Sequence, residues 1–236
     1  MNIKEFDLKI SKIIEETYDT KTYRINLDGN ELNFEPGQFV SLILDFPKDG
    51  KTEKISRSYS ISSSPLKKEY IDLTIKKTNN GGVADYIVDN LKIDDKIKIK
   101  GPYGVFIFKD EIKKVVFIAG GSGISSLMSM IRYDIDKKLD TNLTLLFSNK
   151  TPEDIIFRKE LEELKNKGIK IVDTLTRYDK EDWDGEKGRI NQEMIKKYVD
   201  LDSIFYICGL PQMVDDVKKE LEALGVDKTK IKIEKY

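Results

Sequence analysis

Close to residue 110 the hydrophobic pattern of this 236-residue chain changes period, and that change limits the folds open to it. Before it, apolar residues alternate with polar ones: Tyr23, Ile25 and Leu27 within 22–27, Ile71, Leu73 and Ile75 within 70–76, Ile97 and Ile99 within 96–100. A period of two with one apolar face predicts half-buried antiparallel strands. Residues 39–44 are strongly β-prone as well. Turn signals separate these runs at Asp28-Gly29, Pro36-Gly37, Asp49-Gly50, Asn80-Gly81-Gly82 and Gly101-Pro102. Val83, Ile87 and Leu91 stand four apart and predict one short helix. Several short strands with one helix predict a small closed barrel.

After residue 110 the strands become continuously apolar. Residues 115–119 run into Gly120-Gly121-Ser122-Gly123 and then into a helical pattern carrying Leu127, Met128 and Ile131. Residues 143–147, 169–175, 203–208 and 230–233 supply further strands, and 192–198 and 212–224 supply helices. Thr151-Pro152-Glu153-Asp154 predicts a helix start, with an N-cap, a proline at the first position and acids in the first turn. Strand–helix alternation with buried strands predicts a parallel, doubly wound sheet. The expected organisation is therefore two domains, a β domain over 1–110 and an α/β domain over 111–236.

Composition narrows the chemistry. There is no histidine and one cysteine, Cys208, so an intrachain disulfide, a Cys/His zinc site, a four-cysteine iron–sulfur cluster and a histidine triad are all excluded. Redox chemistry would have to reside on a bound organic cofactor, with no metal. Lys and Arg total 41 against 42 Asp and Glu, which leaves no global field to attract nucleic acid or an anionic membrane. The longest uncharged run, 115–131, is broken by glycines and serines and reads as strand, turn and helix, not a bilayer span. Residues 1–10 lack the apolar core of a signal peptide, and with one cysteine the expected compartment is the cytoplasm.

Two motifs suggest ligand chemistry. Gly120-Gly121-Ser122-Gly123, between a strand and a helix, would let backbone approach a pyrophosphate at a helix N-terminus, although Ser126 stands where the dinucleotide fingerprint has its third glycine. A tight strand-to-helix turn explains the same residues equally well. Arg57-Ser58-Tyr59-Ser60, expected to follow a strand, combines a phosphate-binding fork, an aromatic plate and hydroxyls, and an arginine and a tyrosine two apart would project from one face of a strand.

In order and spacing, Pro36-Gly37-Gln38-Phe39, Arg57-Ser58-Tyr59-Ser60, Gly101-Pro102-Tyr103-Gly104, Ala119-Gly120-Gly121-Ser122-Gly123-Ile124 and Cys208-Gly209-Leu210-Pro211-Gln212-Met213 together resemble the ferredoxin–NADP reductase family across essentially the whole chain. The resemblance implies a six-stranded antiparallel barrel that binds FAD, followed by an NAD(P)-binding α/β domain. It implies that Arg57 and Ser58 serve the FAD, Arg57 at its pyrophosphate, that Tyr59 lies on the flavin and that Ser60 bonds near the hydride-accepting nitrogen. Thr74, Ile75 and Lys76 resemble a second flavin-contacting strand, and Gly81, Gly82, Val83 and Ala84 the loop and helix start that hold the FAD phosphates. Ala84 stands where the family usually has a hydroxyl.

In the second domain Gly121, Ser122, Gly123 and Ile124 match the dinucleotide pyrophosphate loop. Cys208 and Gly209 match the strand end near the reactive nicotinamide carbon. Glu234 and Tyr236 resemble a plant-type ending, a carboxylate by the flavin and an aromatic ring over it. Thr176-Arg177, with Lys187-Gly188-Arg189 nearby in sequence, resembles the 2′-phosphate reader of NADPH-using members, and NADH remains the alternative. The implied reaction is hydride transfer from NAD(P)H to FAD and electron release to a separate acceptor such as ferredoxin or flavodoxin, with Ser60, Cys208 and Glu234 nearest the chemistry. Two other readings fit the same residues, a reductase of free flavin and a non-catalytic subunit that keeps the fold.

Overall fold

The computed structural model describes residues 3–236. The chain forms two compact units: one runs through Phe108 and takes in residues 128–137, and the other comprises residues 109–127 and 138–236.

In the first unit the alternating segments become β1 (Lys4–Thr17), β2 (Thr20–Asn26), β3 (Phe39–Lys48), β4 (Lys51–Ser60), β5 (Tyr70–Lys76) and β6 (Lys96–Tyr103), with helix α1 (Val83–Asn90) between the last two. They form one antiparallel sheet in the order β4-β3-β6-β1-β2-β5. Leu8, Ile10, Tyr23, Ile25, Val40, Leu42, Ile71, Leu73, Ile75, Ile97 and Ile99 fill its interior. At roughly 1.5–3 kcal/mol for each large apolar side chain removed from water, these residues are what curls the sheet around them. Val83, Ile87 and Val88 of α1 join the same core, and the buried Tyr23 hydroxyl donates to the Ile87 carbonyl at 2.9 Å.

The edge strands β4 and β5 meet at a single bridge, Ile61 with Leu73, supported by the Ser62 amide donating to the Asp72 carbonyl at 2.8 Å. The bridge sets Ser60 opposite Thr74. Among the described residues no ladder continues beyond it, so the seam is open between the Arg57–Tyr59 stretch and the end of β5.

The second unit contains β7 (Lys114–Gly120), a 3-10 turn (Gly121–Gly123), the start of α2 (Ile124–Lys137), β8 (Asn142–Asn149), α3 (Arg158–Asn166), β9 (Lys170–Leu175), the two-residue β10 (Glu186–Lys187), α4 (Gln192–Tyr198), β11 (Ile204–Gly209), α5 (Pro211–Ala223) and β12 (Ile231–Lys235). All neighbours are parallel, in the order β10-β9-β8-β7-β11-β12. Met194, Ile195, Val214, Val217 and Leu221 of α4 and α5 cover one face over Val116, Ile118, Leu146, Phe205 and Ile207. Alternation puts the fully buried Phe117, Leu145 and Phe147 on the other face. Sheet order reverses between β7 and β11, which is where a doubly wound sheet offers a ligand crevice at its carboxyl edge.

Two local expectations are corrected. Thr151-Pro152 opens only a 3-10 turn (Pro152–Asp154), in which the Thr151 amide and hydroxyl both donate to Asp154 Oδ2 at 3.1 and 3.0 Å. The α-helix begins at Arg158, after Phe157 at φ 59°. Ile155, Ile156 and Phe157 are all buried, and three successive residues of a continuous helix would fan over about 200° and could not share one core face. Arg57–Ser60, expected to follow a strand, are instead the end of β4. Among the described residues no helix is long and apolar enough to cross a membrane.

Candidate functional site

In the first unit the chemistry-bearing residues gather at the open seam. Arg57 pairs with Leu42 and Tyr59 with Val40 across β3, so both share the strand face of the barrel interior. Tyr59 packs on the core, and burial pushes its phenol up to about 12, with the Arg57 charge opposing. Arg57 is exposed. Its Nη1 donates to the Ser56 carbonyl at 2.9 Å, and among the described residues it has no carboxylate partner. Ser58, opposite Ser41, faces the other side of the strand. Ser60 ends β4, half-buried, opposite Phe39.

On the opposite lip of the seam the side chains are held by the protein itself. Thr74 is buried and its hydroxyl is shared with Thr22 at 2.8 Å and Ser62 at 2.9 Å, so that side chain is committed inward. Ile75 is a core residue, and Lys76 Nζ binds Asp19 Oδ1 at 2.7 Å. Only the backbone of these three is left to meet a flavin.

The loop before α1 holds a device absent from the sequence expectations. Asp85, in the first turn of α1, accepts the backbone amides of Thr78 (2.6 Å), Asn79 (3.0 Å), Asn80 (2.8 Å) and Gly81 (2.7 Å). Burial opposes its ionisation, but the four amides outweigh it and hold the carboxyl at about 2. The Gly81 amide is thus spent, and the Gly82 amide donates to Asn80 Oδ1 at 3.0 Å. Gly82 caps α1 without a side-chain bond, which leaves the first-turn amides of Val83 and Ala84 as the groups an anion would meet. The open seam, an arginine without a carboxylate and an uncapped helix start fit a flavin carrying a pyrophosphate.

In the second unit the glycine turn and the end of β11 approach closely. A Cβ on Gly123 would stand 2.3 Å from the Cys208 carbonyl oxygen, so glycine there is demanded by backbone packing whatever is bound. The Ile124 amide closes the turn on Gly121 and Ser122 carbonyls, and its side chain is in the core. The Tyr236 hydroxyl accepts the Gly123 amide at 3.0 Å and donates to the Gly120 carbonyl at 2.7 Å. The hydroxyl is therefore fastened to the glycine turn itself. The residue is half exposed, yet desolvation of its hydroxyl end pushes the phenol up to about 12, with the Ser122 bond opposing.

Parallel pairing sets Cys208 beside Glu234, with Sγ 4.0 Å from Oε2. Burial pushes the thiol up to about 12, helped by the Glu234 charge and opposed by the Ser126 hydroxyl. Burial likewise pushes Glu234 up to about 7. Gly209 and Gly120 both lie against Met213, where a Cβ would come within 2.9 Å of its sulfur.

At the carboxyl end of β9 the Thr176 amide and hydroxyl both donate to the Asn149 carbonyl, at 2.9 and 3.1 Å. The Arg177 amide donates to the Lys150 carbonyl, and its guanidinium makes no hydrogen bond or ion pair among the described residues. Pairing of Lys187 with Leu175 sets Gly188-Arg189 beside Thr176-Arg177, while Lys187 Nζ is spent on the Lys180 carbonyl at 2.7 Å. Asn149, buried with both side-chain polar atoms unpartnered, was not foreseen; a buried amide at the ligand end of a parallel sheet leaves hydrogen bonds for something else to make. These features fit a dinucleotide.

Comparison with known proteins agrees with both halves. Residues 7–108 match the model of the oxidoreductase FAD-binding domain, and residues 117–219 that of the oxidoreductase NAD-binding domain. The chain is 32% identical to NADH-cytochrome b5 reductase 1 of Pyricularia oryzae, over 96% of this chain and 76% of that one. It is 34% identical to the glycine betaine monooxygenase reductase subunit of Chromohalobacter salexigens, over 94% of this chain but only 61% of the relative's length. Its fold matches that of the cytochrome b5 reductase domain of Ulva prolifera nitrate reductase, with a TM-score of 0.88 at 24% identity over 98% and 97% of the two chains. It also matches a ferredoxin NADP+ reductase from Neisseria gonorrhoeae with bound FAD and NADP, with a TM-score of 0.82 at 22% identity over 98% of each chain.

Proposed function

The chain belongs to the ferredoxin–NADP reductase-like family of FAD- and NAD(P)-binding oxidoreductases, and from that premise we propose that it carries reducing equivalents from NADPH through FAD to a separate acceptor protein. Bound FAD supplies the capacity to take a hydride and to release electrons singly or in pairs. The chain's own residues supply binding, orientation and proton placement. Arg57 neutralises the FAD pyrophosphate with the first-turn amides of Val83 and Ala84, on a loop that Asp85 holds in shape. Tyr59 gives the flavin an apolar plate, and Ser60 places a hydroxyl at its reacting edge.

Gly121, Ser122 and Gly123 present the dinucleotide pyrophosphate with backbone and with the positive end of α2. The Arg177 guanidinium, unpaired among the described residues, binds the 2′-phosphate and favours NADPH over NADH, with Arg189 beside it. Cys208 and Glu234 line the reactive end. The thiol excludes water, and the carboxyl, near neutral in affinity, holds or releases a proton at Oε2. The acceptor is a small redox protein of the ferredoxin or flavodoxin kind, a b5-type haem protein or an oxygenase component; the names of the relatives support the b5-type and oxygenase alternatives. A lone buried thiol favours a cytoplasmic setting.

The observation that carries this reading is the seam itself, where Arg57 lacks a carboxylate and Tyr59 stands two residues away at the point where the barrel stays open. The test is a visible spectrum of the purified protein, then separate anaerobic additions of NADPH and NADH. Yellow protein bleached faster by NADPH is expected. Colourless protein that takes up no FAD overturns the reading, and flavin lost on desalting would point to free flavin as the substrate.

A further inference from the structure

The interior of the first unit contains a hydroxyl chain that the site above does not use. Ser62 Oγ lies 2.9 Å from Thr74 Oγ1, Thr74 Oγ1 lies 2.8 Å from Thr22 Oγ1, and Thr22 donates to Glu16 Oε1 at 2.7 Å. Ser62, Thr74 and Thr22 are all buried.

Three hydroxyls carry three protons, which fixes their direction. The Thr22 proton goes to the carboxylate, so Thr22 must accept from Thr74. Thr74 has then no proton left, and Ser62 must donate to it. With Glu16 as the accepting carboxylate, any other arrangement sets two oxygens within 3 Å with no proton between them. The chain is polarised from Ser62 through Thr74 and Thr22 to Glu16. Ser62 has one other acceptor, the Asp72 carbonyl, at the longer distance of 3.2 Å.

The chain ends where the barrel lacks a ladder. Besides its hydroxyl, Ser62 is held by its amide on the Asp72 carbonyl and by its own carbonyl, which accepts Arg132 Nη1 at 2.7 Å. Ser63 accepts the Asp72 amide on Oγ at 3.1 Å and the Ser129 hydroxyl on its carbonyl at 2.8 Å. Both α2 residues belong to this unit. Side-chain bonds thus fix the two residues after the single bridge, where sheet pairing stops.

We propose that Thr74 is a positioning residue: through Ser62 it pins the end of β4, and with it the Ser60 hydroxyl, while Glu16 sets the direction of the protons. The inference rests on the flavin reading of Ser60. It gives Thr74 a role other than touching the cofactor, because its hydroxyl points inward.

The test compares Thr74→Val, which keeps the branched shape without the hydroxyl, with Thr74→Ser, which restores it. Three quantities are read: the Kd for FAD on reconstitution, the shape of the long-wavelength flavin absorption band, and the rate constant for bleaching by NADPH. The Val variant should bind FAD within about threefold of the parent, blur the band's shoulder and bleach about tenfold slower, since a displaced reacting group costs rate more than affinity. The Ser variant should recover the parent band and rate within about twofold. A Val variant as fast as the parent, or a Ser variant as slow as Val, overturns the proposal. If Thr74→Val does not fold, Thr22→Val breaks the chain one link away on β2, and an unchanged band and rate there overturn it equally. A parent protein that binds no FAD overturns the flavin reading, and this inference with it.

Discussion

The amide of Gly123 donates to the phenol oxygen of Tyr236 at 3.0 Å, so that side chain occupies a donor in the loop proposed for the dinucleotide. A pyrophosphate needing that amide must displace the hydroxyl. Tyr236→Phe keeps the ring and removes the competitor, and a net hydrogen bond of about 0.5–1.5 kcal/mol makes NADP+ bind roughly two- to tenfold more tightly. Titration of the visible difference spectrum measures it. An unchanged Kd would show that the loop binds its ligand without that amide.

Among the described residues Arg177 makes no ion pair, in a chain rich in carboxylates, and its neighbour Thr176 is fastened to Asn149 by two bonds. A hydrogen-bonded charge on a phosphate is worth roughly 1.5–3 kcal/mol, so Arg177→Ala should lower kcat/KM for NADPH about ten- to a hundredfold. NADH should change less than about threefold, because it lacks the phosphate. Equal losses for both would remove Arg177 from the choice of dinucleotide.

Burial lifts the Glu234 carboxyl from 4.5 to about 7. A group whose folded-state affinity for protons is raised favours the folded state fully below 4.5, and that contribution is lost as pH rises through about 7. Glu234→Gln cannot ionise, so its Tm should fall less than the parent's between pH 5 and 8. The same substitution should flatten any inflection near pH 7 in kcat/KM. Parallel Tm curves for parent and variant would place this carboxyl in water.

Asp85 shows the opposite sign. Its carboxyl is held at about 2, against an ordinary 3.8, so its stabilisation is complete above 3.8 and is lost as pH falls through 2. Asp85→Asn cannot accept four amides with one oxygen, and should lower Tm at pH 7 by roughly 3–8 °C and weaken FAD retention. The gap between the variant and its parent should close as pH approaches 2. A gap that persists there would mean that shape, not charge, holds the loop.

Much of the architecture was legible because it follows from period. Alternation in 70–76 and 96–100 and the unbroken run 115–119 each have one satisfactory burial, and they became β5, β6 and β7. The extent of β4 was not legible. Only Ile55 and Tyr59 are apolar in its ten residues, as suits an edge strand exposed along one side. The 3-10 turn at Pro152 escaped because the capping signal at Thr151 is the same for one turn as for a long helix, and the burial of Ile155–Phe157 decided between them.

At the candidate site, residue types and their order were readable and their directions were not. Arg57 and Tyr59 share a face because they are two apart in a strand, which any reader of the chain can count. That Thr74 and Lys76 turn away to Thr22, Ser62 and Asp19, that Asp85 spends the Gly81 amide, and that Tyr236 sits on the glycine loop are contacts between residues far apart in the chain.

By itself the sequence determined the two folding patterns, the absence of any residue set for a histidine or multi-cysteine site, and the motif order that marks the family. The tertiary structure alone decided which of those motif residues still have a hydrogen-bonding group to offer. The reason is physical: a buried donor or acceptor must find a partner, and the partner it finds is set by what the fold brings within 3 Å.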